Sequence, residues 1–179
     1  MKKLFIPTLI ILVATLYFGC AKKKTNVEFD IPYSYTIAVP SLTMDVPTTF
    51  TTPSFVTNIA EQLSKNGTNS DLVGEMKCTS FNIAVTSPTI GAGSNLSYIR
   101  WIKFYVNAIN QPEIQSAFIY NDNIPVTATT TALNINDNNI KNRFVENSVY
   151  YTVKIDPKAS NPASTITVTH NIHVKAITQ

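Results

Sequence analysis

From Thr165 to Ala176 apolar and polar side chains alternate without a break. Ile166, Val168, His170, Ile172, Val174 and Ala176 fall on one face, and Thr165, Thr167, Thr169, Asn171, His173 and Lys175 on the other. A period of two is that of a strand with one face buried and one wet; a helix would scatter both sets around its circumference. The same alternation runs through Phe29, Ile31, Tyr33, Tyr35, Ile37 and Val39. Pro32 interrupts that run and predicts a sheet edge, because proline cannot donate to a ladder. Phe81, Ile83 and Val85 repeat the pattern, as do Val149, Tyr151, Val153 and Ile155, and these two runs stop at Ser87-Pro88 and Asp156-Pro157.

Weaker signals fill the gaps. Leu42, Met44 and Val46 alternate and predict a second short strand. Tyr98–Val106 carries Ile99, Trp101 and Tyr105 on one face and Tyr98, Arg100, Ile102, Phe104 and Val106 on the other. With both faces mostly apolar it reads as a central strand, and Trp101 as a core residue. Strands are also expected over Ile114–Tyr120 and Val126–Leu133. Phe55, Ile59 and Leu63 recur every four residues, with Glu61 and Lys65 paired at i,i+4. That spacing predicts a helix over 55–65, capped by Ser54 and closed by Gly67. Asp137–Val145 is expected to hold one helical turn, with Ile140 and Phe144 stacked. The sum is about eight strands and one or two short helices. No long helix separates strands in the second half, so parallel βαβ units are excluded in favour of an all-β, single-domain antiparallel sandwich. Only 14% of residues are charged while 44% are apolar, so Thr, Asn and Ser supply most of the polarity. That suits strands with one wet face and rules out a disordered chain.

The N-terminus carries an address. Met1-Lys2-Lys3 is a short basic start, Leu4–Phe18 is an apolar stretch without acids, and Gly19-Cys20 follows at the polar boundary. The stretch is short for a membrane span, and the arrangement is that of a secretory signal. Leu16-Tyr17-Phe18-Gly19-Cys20 resembles the end of a bacterial lipoprotein signal, matching at Gly19 and Cys20 and differing at Tyr17 and Phe18. The resemblance implies cleavage before Cys20 and lipid attachment to its thiol, with several acyl chains holding the protein on a membrane. The alternatives are an ordinary signal with an incidental cysteine and an uncleaved anchor. The expected organisation is therefore a signal peptide over 1–19, the lipidated cysteine and tether over 20–27, and the β-sandwich over 28–179.

The body is similar in style to immunoglobulin-like β-sandwich lipoproteins of the Bacteroidota: alternating strands, abundant Thr and Asn, and no disulfide. By that resemblance the anchor is expected in the outer membrane, facing the periplasm or the cell surface. Ala21-Lys22-Lys23-Lys24, basic where surface lipoproteins of that group are acidic, leans toward the periplasm. The whole chain is +3, and Lys2 and Lys3 lie in the leader, leaving about +1 and no electrostatic case for nucleic acid.

Catalytic equipment is not visible. Cys78 is the second of two cysteines; with Cys20 lipidated it has no partner, and it reads as a small buried hydrophobe. His170 and His173 stand three apart, on opposite faces of a strand, so they cannot share a metal. His170 is expected in the core and His173 at the wet surface. The cluster Asn134–Asn139 offers one carboxylate, too few for calcium, and suits turns and caps. No cofactor, metal ligand or catalytic residue is expected. Three functional classes are compatible with these signals. The first is a non-catalytic envelope module that binds a protein or serves a structural role. The second is a binder of a glycan or small ligand, with Tyr105 and Tyr150 as candidates. The third is an unrecognised hydrolase or an enzyme inhibitor.

Overall fold

The computed structural model describes residues 24–108, 119–125, 128–136, 139–146 and 148–178. Cys20 and the segment expected to be a signal peptide, residues 1–19, lie outside them. Within the described residues ten strands form two antiparallel sheets. The first sheet has the order β1 (Asn26–Val39), β10 (Ser164–Ile177), β4 (Val73–Ser87) and β7 (Thr130–Ala132). The second has the order β2 (Thr48–Thr51), β9 (Ser148–Pro157), β5 (Ile99–Ala108), β6 (Ile119–Asn121) and β8 (Asn134–Ile135), and β3 (Phe55–Val56) also pairs with β9. The all-β sandwich expected from the alternation is the fold of the chain.

The long strands obey their pattern. In β10 the six residues from Ile166 to Ala176 assigned to the apolar face are all buried. They pack against Phe104 and Val106 of β5 and Tyr151 and Val153 of β9 within one continuous core. β4 changes parity midway: Met76 and Cys78 are buried, then Phe81 and Ile83. Asn171 pairs with Ser80 and Ile172 with Cys78, so Thr79 is the extra residue of a bulge, and the bulge turns both halves toward the core.

β1 is the free edge that Pro32 predicts. Thr178 N–H donates to the carbonyl of Thr25, 2.9 Å. Continuing that alternation along the unbroken β1–β10 register, odd-numbered residues of β1 exchange bonds with β10 and even-numbered ones point outward. Pro32 belongs to the outward set, where its missing N–H costs no bond.

Three expectations are corrected. The helix α1 spans Ile59–Lys65, not 55–65, and Asn58, left-handed at φ 50°, precedes it instead of a Ser54 cap. Phe55 and Val56 pair with Val149 and Ser148 instead, and the Phe55 ring stacks on Tyr35 with centroids 4.6 Å apart. The Ile59–Leu63 stripe and the Glu61–Lys65 pair, 2.6 Å, persist in the shorter helix. Next, Leu42, Met44 and Val46 form no strand: Leu42 bridges to Asn161 alone, and the other two are exposed. Finally, Val126–Leu133 shrinks to β7 among the described residues. The turn α2 (Lys141–Phe144) stands inside the predicted segment, with Phe144 buried.

Candidate binding surfaces

Two groups with reactive side chains lie inside the sandwich. His170 faces Tyr33 on one side and Phe81 on the other. Its ring stacks on both, with centroids 5.0 and 5.3 Å away. Nε2 lies 3.4 Å from the Tyr151 hydroxyl, while Nδ1 has no hydrogen-bond partner. Burial pushes its pKa down to about 3, because no counter-charge offsets the loss of hydration of the imidazolium. Cys78 is equally enclosed. Its thiol donates to Ser80 O, 3.2 Å, and burial pushes its pKa up to about 12. Both residues are core groups, as their positions in the alternation imply. A thiol reagent at pH 8 is expected to leave Cys78 untouched in the folded body and to modify it fully in denaturant; rapid labelling of the native protein would contradict this burial.

The four-stranded sheet turns a polar face to water. His173 contacts Asp30, 2.8 Å, and Glu28, 3.6 Å, across β1. Beside it lies an open hollow of about 420 Å³ lined by Glu28, Asp71 and Lys175. Among the described residues no group of three or more His, Cys, Asp or Glu gathers as a metal site. Asp137 and Asn138 lie outside the described residues. Asn139 forms a turn and ties it to β4, its Oδ1 accepting from Lys141 N–H at 3.0 Å and Met76 N–H at 3.1 Å.

The six-stranded sheet is different on its outer face. Trp101, Lys103 and Tyr105 follow one another there along β5, with Asp156, Lys154 and Thr152 opposite them on β9. Tyr120 of β6 stands beside Lys103, and Tyr150 lies two pairs beyond Tyr105, on the same face. Trp101 is thus half-buried on an outer face and is no core residue. Arg100 is a bulge residue between Ile99 and Trp101, and the shift sends Ile99 inward and Trp101 outward. The two lysines cover two of the rings, Lys103 Nζ 5.0 Å from Trp101 and Lys154 Nζ 4.7 Å from Tyr105. The residues around Tyr105 and Tyr150 escaped sequence reading, although Lys103, at the same parity as Trp101 and Tyr105, marked the face as wet.

A third surface forms where three connections meet. Residues 40–47, 88–98 and 158–163 all join strand ends at the pole opposite Asn26. They are tied together. Leu42 and Asn161 exchange backbone bonds of 2.8 and 3.0 Å, Asp45 N–H donates to Pro157 O, 2.9 Å, and Lys158 N–H to Tyr98 O, 2.8 Å. Arg100 bridges Asp45 and Asp156. Gly93, at φ +85°, passes so near that a Cβ would sit 3.0 Å from the Asn161 amide. On this braced tip stand Met44, Val46 and Ile90, 54%, 52% and 87% exposed.

No family model matches the chain, and no curated protein matches it. Among solved structures it is similar to a chain from desmodium yellow mottle tymovirus. The identity is 11%, the match covers 87% of this chain and 91% of that one, and the TM-score is 0.33. A likeness that faint carries no functional argument.

Proposed function

We propose that this chain is a non-catalytic lipoprotein of a bacterial envelope, anchored through Cys20 in the outer membrane and holding a protein partner at its far tip. The observation that supports it is the tip itself. Three large apolar side chains stand in water there, Met44 and Val46 on one loop and Ile90 on a second, and hydrogen bonds and the Arg100 bridge tie the tip together. Single exposed apolar residues are ordinary, but several on one braced surface mark an interaction site, and a pre-set surface loses little entropy on binding. β1 is 14 residues long, which sets the tip roughly 45 Å from the tether at about 3.3 Å per residue. The immunoglobulin-like likeness belongs to the same reading, since such sandwiches present loops at one end.

Two measurements on the full-length protein test it. The N-terminal peptide from a native-like host is expected to carry acyl chains on Cys20, and the protein to partition into detergent. A photo-crosslinker at position 90 is expected to give a discrete protein adduct in intact cells, one at position 167 is not, and Met44→Ser with Val46→Ser should abolish the adduct. An unmodified, water-soluble chain would remove the anchor, and adducts indifferent to position would remove the tip. A second reading, saccharide binding, is favoured by the rings on the outer face of the six-stranded sheet.

A further inference from the structure

Lys103 and Lys154 occupy directly opposed positions on neighbouring strands, at the middle of the outer face of the six-stranded sheet. Like charges placed directly opposite repel, and a sheet gains nothing from them by itself. The two ammonium groups lean apart along the face, one over Trp101 and the other over Tyr105. Nearby carboxylates do little to neutralise them. Asp156 is engaged by Arg100 at 2.7 Å, and Asp122, an exposed residue, lies 3.8 Å from Lys103. Among the described residues Lys154 has no carboxylate partner. The pair therefore sits between two aromatic rings, with Tyr120 beside it on β6, and presents two positive charges of which one, Lys103, meets a single exposed carboxylate at 3.8 Å and the other, Lys154, meets none among the described residues.

We infer that this face binds an acidic polysaccharide. Tyr120 and Tyr150, with the parts of Trp101 and Tyr105 that the lysines leave open, offer amphipathic surfaces for sugar faces, and the lysines offer charge-assisted hydrogen bonds to the sugar's carboxylates. An anion between Lys103 and Lys154 relieves their repulsion, so the term that is unfavourable in the free protein favours the complex. Trp101 and Tyr105 are four residues apart on one strand, about 13 Å, which suits several sugar units in a row and not a single one. The inference rests on the saccharide reading of this face and is independent of the tip.

The test uses full-length protein in detergent, titrated with polygalacturonate, with neutral dextran and with polyglutamate. Polygalacturonate is expected to bind and to weaken as salt rises. Lys103→Gln with Lys154→Gln should weaken it at least tenfold without lowering the melting temperature. Trp101→Ala should weaken it as well, whereas Lys154→Arg should retain it. If polygalacturonate and dextran bind alike and the lysine variants change nothing, the face is a saccharide site but the acidic specificity is wrong. Tighter binding of polyglutamate than of polygalacturonate would overturn the saccharide class. Binding of none of the three would overturn both the inference and the reading beneath it.

Discussion

Acidification from pH 6.5 toward pH 3 is expected to weaken the fold steeply, and His170→Phe is expected to remove much of that dependence. In the folded chain His170 is 2% exposed, ringed by Tyr33, Phe81, Tyr35, Tyr151 and Phe144, with no carboxylate against it. Its pKa stands near 3, against an ordinary value of 6.5 in the unfolded chain. Between those values the unfolded state binds a proton that the folded state refuses. Stability is therefore complete above pH 6.5 and is lost as the pH falls, by about 1.4 kcal/mol per unit until the folded-state pKa is reached. The titratable groups facing the ring, Tyr33, Tyr35 and Tyr151, stay neutral throughout this window. Phenylalanine keeps the stack between Tyr33 and Phe81 and has nothing to protonate. Urea melts of both proteins at pH 7, 5.5 and 4.5 measure the difference. Parallel losses in the two would show that carboxylates elsewhere, not His170, set the acid limit.

Tyr151→Ala is expected to be the most damaging single truncation near that cluster. Tyr151 is fully buried where the sheets meet, its ring 5.5 Å from Tyr35, 5.6 Å from Phe55 and 6.0 Å from Phe104. Removing it opens a cavity between two sheets that cannot both collapse into it, and strips His170 Nε2 of its one hydroxyl neighbour. Such truncations cost about 3–5 kcal/mol, a large share of an ordinary domain's stability. Tyr151→Phe, losing only the hydroxyl, should cost about 1 kcal/mol. A denaturant midpoint shift for the alanine variant no larger than for the phenylalanine one would mean that the two sheets are less firmly joined here than the packing implies.

The long strands are legible because alternation over ten or more residues has no other explanation. β1 and β10 follow it from end to end, β9 does so in its apolar set Val149, Tyr151, Val153 and Ile155, and β4 does so once its bulge at Thr79 is allowed for. β2, β3, β6, β7 and β8 have two to four residues each, too few to show a period. Phe55 reads as helical because its spacing to Ile59 is four. Its place is decided instead by a partner strand far along the chain and by the Tyr35 ring, neither of which local pattern can register. Met44 and Val46 mislead for the opposite reason: they alternate, but the segment crosses between sheets and has no strand beside it. Trp101 reads as inward because tryptophan is costly to expose, and Lys103 covers part of that ring. The binding surfaces combine residues from separate loops or strands, so only their individual members can be seen in the sequence.

The way β1 enters the sandwich also decides how the protein carries load. Its first residue lies beside the proposed tether, its last adjoins the tip, and it is joined to β10 by an unbroken register of fourteen residue pairs. In the proposed setting, with a membrane at one end and a partner holding the 88–98 loop at the other, a pull runs along the strand, at right angles to its hydrogen bonds. The bonds then resist together in shear instead of parting one by one, the geometry of a rope lashed along its length. A chain built this way can stay folded under tension that would peel a strand attached at a hairpin.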